Sequence, residues 1–90
     1  MAALTEAEAR ERLKSLPGWE LSGSAIRKAY PFPDFNAGMA FANRVAALAD
    51  AQDHHPDMLV QYKQVTLTLT SHDTGGLTAR DFRLAQAIDA

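Results

Sequence analysis

Apolar positions recur along this chain in two rhythms, and each change of rhythm marks an element. Ala9, Leu13 and Leu16 share one helical face behind Thr5-Glu6-Ala7-Glu8, which has the spacing of a capping box. Pro17-Gly18 is expected to stop that helix. Trp19 to Ser22 reads as a short strand, Gly23-Ser24 as a turn, and Ala25 to Phe32 as a second strand. Ile26, Tyr30 and Phe32 lie on one side of it, shared by Lys28, and Pro31 and Pro33 limit pairing near its end. Asp34 suits an N-cap. Phe35, Met39, Ala42, Ala46 and Ala49 then recur at helical spacing, with Phe41, Val45 and Leu48 widening the stripe. This is the longest predicted helix, ending near Asp50–Asp53.

Met58 to Tyr62 and Val65 to Thr70 read as two further strands, with Lys63-Gln64 as the hairpin turn. In the second, Val65, Leu67 and Leu69 face one way, and Thr66, Thr68 and Thr70 the other. Continued alternation puts His72 on the polar face at the strand's end. The stretch HDTGG breaks the strand. Thr78-Ala79-Arg80-Asp81 is a second capping box, flanked by Leu77 and Phe82 as a hydrophobic staple. Phe82, Ala85 and Ile88 supply the last helix's buried stripe. The order α-β-β-α-β-β-α predicts an α+β fold of two layers, with helices on one face of a four-stranded antiparallel sheet.

Composition narrows the function classes. Ninety residues with 47% apolar and 22% charged side chains make one compact domain spanning 1–90. A formal charge of −2 supplies no strong basic field for nucleic acid. With no cysteine, disulfides and thiolate metal sites are excluded. No run approaches the roughly 18 apolar residues of a membrane span, and the acidic start lacks the pattern of a signal peptide. The expectation is a cytoplasmic protein.

The candidate chemistry gathers at DAQDHHPD, residues 50–57, where two histidines stand among three aspartates at a helix end. Pro56 pushes His55 toward extended backbone. The chain has three histidines, the side chains best suited to acid–base work near neutral pH. With the turn at Lys63-Gln64, paired positions sum to 127, which sets His55 opposite His72 with His54 close by. Against this stands the plain reading of a solvated loop, with His54 a favourable cation at a helix C-terminus. Two histidines and an aspartate can bind zinc or iron, but adjacent residues rarely aim both rings at one ion, and zinc-site spacings are absent. Asp81 has a sufficient role as a helix cap, and could also accept from a ligand. Asp53 and Asp57 read as solvated neighbours, and Trp19 as core or pocket wall.

The pattern Asp50-x3-His54-His55-Pro56-x5-Tyr62-x9-His72-x8-Asp81 resembles the signature of pterin-4a-carbinolamine dehydratases. So do GW at Gly18-Trp19, FPDFN at Phe32–Asn36 and GGLTARD at Gly75–Asp81; the likeness runs from about Leu16 to Ile88. The resemblance implies a four-stranded antiparallel sheet with helices on one side, in homodimers or homotetramers. It implies dehydration of 4a-hydroxytetrahydropterin to quinonoid dihydropterin, the recycling step after aromatic amino-acid hydroxylation, without metal or cofactor. His54 and His72 would be the proton-transfer pair, and His55 would hold the pterin substrate. Asp50 and Asp81 would support the pocket or bind the pterin, backbone around Thr70–Ser71–His72 would pair with its edge, and Trp19 would line the site. Asp50 stands where glutamate is frequent in relatives, and Ser71 where threonine is common. The alternative is a regulatory or protein-binding module of the same fold with weak or no dehydratase activity.

Overall fold

A computed structural model describes residues 2–90. The elements are α1 (Glu6–Leu13), β1 (Glu20–Ser22), β2 (Ala25–Pro31), α2 (Phe35–Gln52), β3 (Asp57–Gln61), β4 (Gln64–Leu69) and α3 (Ala79–Asp89). The strands form one antiparallel sheet in the order β1-β2-β4-β3. This is the α+β architecture and element order that the alternation of periods predicts.

The helix starts follow their local chemistry. Thr5 and Glu8 form the reciprocal capping box of α1, and Asp34 accepts from the Ala37 N–H at 2.8 Å. The α1 helix ends three residues before Leu16, short of the proline. Its last turn tightens into shorter-range bonds, such as Leu16 N–H to the Leu13 carbonyl, which still deliver Leu16 into the core. At the β1–β2 turn, Gly23 takes φ +60°, as the tight primed hairpin turns require at that position.

The core lies between the sheet and the helices. Val65, Leu67 and Leu69 of β4 are fully buried with Ile26 of β2, Val45 of α2 and Leu84 of α3. Gly38 faces the sheet, where a Cβ would lie 3.4 Å from Val65, an ordinary packing contact. Phe35, expected in the α2 stripe, is instead exposed at the helix's first position, and the buried stripe is Gly38, Ala42, Val45 and Ala49.

The hairpin departs from expectation by one residue. Tyr62-Lys63 forms the turn, Gln61 pairs with Gln64, and Asp57 pairs with Thr68. Paired positions therefore sum to 125, not 127. The neighbouring strand holds the turn in place, since Pro31 pairs with Gln64 and Phe32 N–H donates to the Lys63 carbonyl at 2.9 Å. Moving a turn by one residue shifts partners by two and leaves every side chain on the same face, so the apolar alternation fits both registers.

The far end of α3 is anchored by one carboxylate. Asp89 accepts from Trp19 Nε1 at 2.8 Å, Lys28 Nζ at 3.0 Å and the Tyr30 hydroxyl at 2.6 Å. Burial pushes the Asp89 carboxyl up, but the bonds from Tyr30, Lys28 and Trp19 outweigh it and hold it below the usual range. The Tyr30 phenol is pushed well above its ordinary value, by burial first and then by Asp89. A carboxyl with a lowered folded pKa adds stability that is complete above the unfolded value of about 3.9 and fades as pH falls through the folded one. Asp89→Asn should lower the urea midpoint at pH 7 and flatten its decline below about pH 4. An unchanged acid limb in the variant would show that Asp89 carries none of it.

Candidate active site

The C-terminus of α2 sets the geometry. Asp53 adopts the left-handed conformation, φ 50° and ψ 43°. Its N–H donates to the Asp50 carbonyl at 3.2 Å, and the His54 N–H reaches the Ala49 carbonyl at 3.1 Å. This crossed pair of bonds closes the helix and turns the chain. Aspartate is among the few non-glycine residues that tolerate the conformation. Asp53 thus has a backbone role beyond that of a solvated neighbour.

The turn sends the His54 side chain inward, where it is 7% exposed. Its Nε2 lies 2.6 Å from Asp81 Oδ1. Asp81 has no exposed surface at all, and its other oxygen accepts from the Ser71 hydroxyl at 2.9 Å and the Thr78 N–H at 3.0 Å. The Ser71 and Thr78 hydroxyls lie 2.8 Å apart. With Ser71 donating to Asp81, Thr78 donates to Ser71, so the proton chain has one direction. A carboxylate acceptor selects the Nε2–H form of the His54 ring and leaves Nδ1 as its free nitrogen. Among the described residues, no buried side-chain nitrogen or oxygen lacks a partner.

The other two histidines are exposed. His55 Nε2 meets Asp50 Oδ1 at 2.9 Å, so the aspartate reaches its neighbour. Both side chains face water, where such a pair contributes about 0–1 kcal/mol. His72 does not continue a strand. β4 ends at Leu69, Ser71 bridges to Gly76, and His72 opens the turn between them. Extending the observed register puts His54 level with Ser71 and His55 level with Thr70, so the expected His55–His72 pairing is replaced. The three histidines still share one end of the sheet, on the segments that enter β3 and leave β4.

The remaining predicted residues divide. The Thr70 hydroxyl donates to the Ser24 carbonyl at 2.6 Å. The Ser71 backbone is occupied by its own loop: its N–H donates to Gly76, and its carbonyl accepts from Thr74 and Gly75. Asp81 holds His54 and presents no surface to solvent. Trp19 is not brought to the histidines; its indole N–H needs a buried acceptor and finds it at Asp89, two turns along α3 from Asp81. Among the described residues, no three His, Asp or Glu side chains are grouped to hold a metal ion.

Sequence reasoning missed the side chains of Ser71 and Thr78. The signal was present: a capping box fixes where its N3 carboxylate sits, and a strand-end hydroxyl can supply a further donor to it. A buried histidine oriented by a carboxylate thus shares one end of the sheet with two exposed histidines. The chain matches the family model for pterin 4 alpha carbinolamine dehydratase over residues 2–90. It is 50% identical over its whole length to an Acidobacterium capsulatum relative, covering 98% of that protein. Identity to a Sulfurisphaera tokodaii relative is 45%, over 99% of this chain and 96% of that one. Both carry pterin-4-alpha-carbinolamine dehydratase names given provisionally. A Brucella melitensis crystal structure, described as a transcriptional coactivator/pterin dehydratase, aligns with TM-score 0.90 at 35% identity, over 97% of this chain and 95% of that one. A pterin dehydratase-like RuBisCO assembly factor of the alpha-carboxysome shares the fold, with TM-score 0.63 at 21% identity over 79% of this chain and 82% of that one. The chain belongs to the pterin-4-alpha-carbinolamine dehydratase family.

Asp81→Ala strands the His54, Ser71 and Thr78 donors away from water. Each unsatisfied buried group costs about 1–3 kcal/mol, so the variant should lose about 3 kcal/mol or more in urea unfolding. Asp81→Asn, which keeps the shape and one acceptor oxygen, should lose less. A loss below about 1 kcal/mol for the alanine variant would mean that the network adds little to the fold.

Proposed function

We propose that this protein is a hydro-lyase that dehydrates 4a-hydroxytetrahydropterin to quinonoid dihydropterin and water, in tetrahydropterin recycling. The reading rests on one observation above the rest: a buried carboxylate holds His54 by its Nε2 and so fixes the orientation of the ring. In a carbinolamine, a ring nitrogen lone pair expels the neighbouring C4a hydroxyl. The carbon–oxygen bond breaks, a carbon–nitrogen double bond forms, the departing hydroxyl takes up a proton, and a ring N–H gives one up. No electron is gained or lost overall. Two imidazoles can serve as acid and base near neutral pH, each with an unperturbed pKa of about 6.5.

His54 and His72 are assigned the proton transfers, and His55 the positioning of substrate. Asp81 fixes the tautomer and orientation of His54, in the way an orienting carboxylate serves a catalytic histidine. Asp50 does the same for His55 through an exposed contact. The exposed Met58 and Leu59 of the unpaired β3 edge, with Tyr62 in the adjoining turn, support the reading of a homodimer or homotetramer.

Turnover of enzymatically generated 4a-hydroxytetrahydropterin tests the assignment. His54→Ala and His72→Ala should each lower kcat by roughly 10²–10⁴-fold, and His55→Ala should mainly raise KM. Full activity in both of the first two variants would sink the acid–base roles. An inactive but folded wild-type protein would favour the protein-binding module.

A further inference from the structure

The loop carrying His72 is exposed, yet it is tied down on both sides. On one side Ser71 closes the loop through its backbone and roots it through its hydroxyl in Asp81. On the other side Asp73 meets Arg80 through both carboxylate oxygens, Oδ2 to Nη1 at 3.2 Å and Oδ1 to Nη2 at 2.8 Å. The same guanidinium donates from Nη2 to the Thr74 hydroxyl at 3.2 Å and from Nε to the Thr78 hydroxyl at 3.3 Å. Three of these bonds join the loop to the first turn of α3, and the fourth ties the guanidinium to that helix's own N-cap. Arg80 adjoins Asp81, so two successive residues of one helical turn hold His54 and the His72 loop.

We infer that Arg80 is a positioning residue for His72, setting the loop's pose relative to the fixed His54. The inference rests on the reading of His72 as a proton-transfer group. Three observations carry it. The contact is a two-pronged guanidinium–carboxylate pair, which fixes orientation in a way that a lysine ammonium does not. The Arg80 and Asp73 side chains are 43% and 68% exposed, so the pair adds little to global stability, and its value lies in what it orients. The loop also contains a pivot: Gly75 sits at φ +77°, in open space where a Cβ would touch nothing. Without the clamp, the segment between Ser71 and Gly75 keeps its backbone closure but loses the tether at its tip. The Arg80 hydrogen bonds also hold the Asp73 carboxyl below the usual range.

The experiment uses the full chain and four variants: Arg80→Gln, Arg80→Lys, Asp73→Asn and the charge-swapped Asp73→Arg/Arg80→Asp. The glutamine and asparagine variants should each lower kcat about 3–30-fold, as expected when a proton-transfer group is misplaced by a fraction of an ångström. KM and the thermal midpoint should stay close to wild type. Arg80→Lys should fall between, and the charge swap should recover a large part of the loss. Unchanged kcat in Arg80→Gln and Asp73→Asn would overturn the inference. So would a loss that follows the thermal midpoint, or one that the swap leaves uncorrected. Amide hydrogen exchange across residues 72–75 supplies a readout independent of turnover. It should speed up in Arg80→Gln while exchange in β4 holds, and equal exchange in both proteins would overturn the clamp. Wild-type turnover tests the dehydratase reading by itself, so a failure there is distinguishable from a failure of the clamp.

Discussion

A carboxylate sealed from water organises one end of this molecule. Asp81 takes three donors from three segments: the end of α2, the end of β4 and the residue that starts α3. A carboxylate left unpaired there would be destabilising, so contacts from all three segments stabilise one another. The helix cap and the histidine support are therefore one interaction. Local helix-capping chemistry is recruited to fix a side chain 27 residues away.

The sheet supplies the other half of the arrangement. β4 is a central strand, with its apolar face packed beneath the helices and its end beside the turn out of α2. Because β3 and β4 are joined by a two-residue turn, the entry to β3 and the exit from β4 must lie at the same end of the sheet. That topology, more than any single contact, gathers residues 54–55 and 71–72. The left-handed Asp53 then aims His54 inward, and His55, before a proline that disfavours continued helix, stays outside.

Much of this was legible in the sequence where chemistry is local. Thr5, Asp34 and Thr78 announce their helices through caps that need only three or four residues to be read. The alternation through Val65, Leu67 and Leu69 identifies a buried strand face. Register was illegible for a physical reason, since Lys63-Gln64 and Tyr62-Lys63 turns bury the same side chains; what decides between them is the Phe32–Lys63 bond to another strand. The burial of His54 was hidden as well, because it depends on a left-handed aspartate that looks like any polar loop residue. Trp19 was placed with the histidines by resemblance alone, and nothing local could reveal that Asp89 claims its indole.

That last contact has a spectroscopic consequence. Trp19 is the chain's single tryptophan, 5% exposed, and bonded to the last residue of α3. Asp89 lies eight residues beyond Asp81, about 12 Å along the helix at 1.5 Å per residue. Intrinsic fluorescence therefore watches the docking of the chain's C-terminal end onto the sheet. Asp89 itself titrates in acid, so an emission change there marks protonation of the indole's partner or release of the α3 end, and histidine protonation is followed by other means.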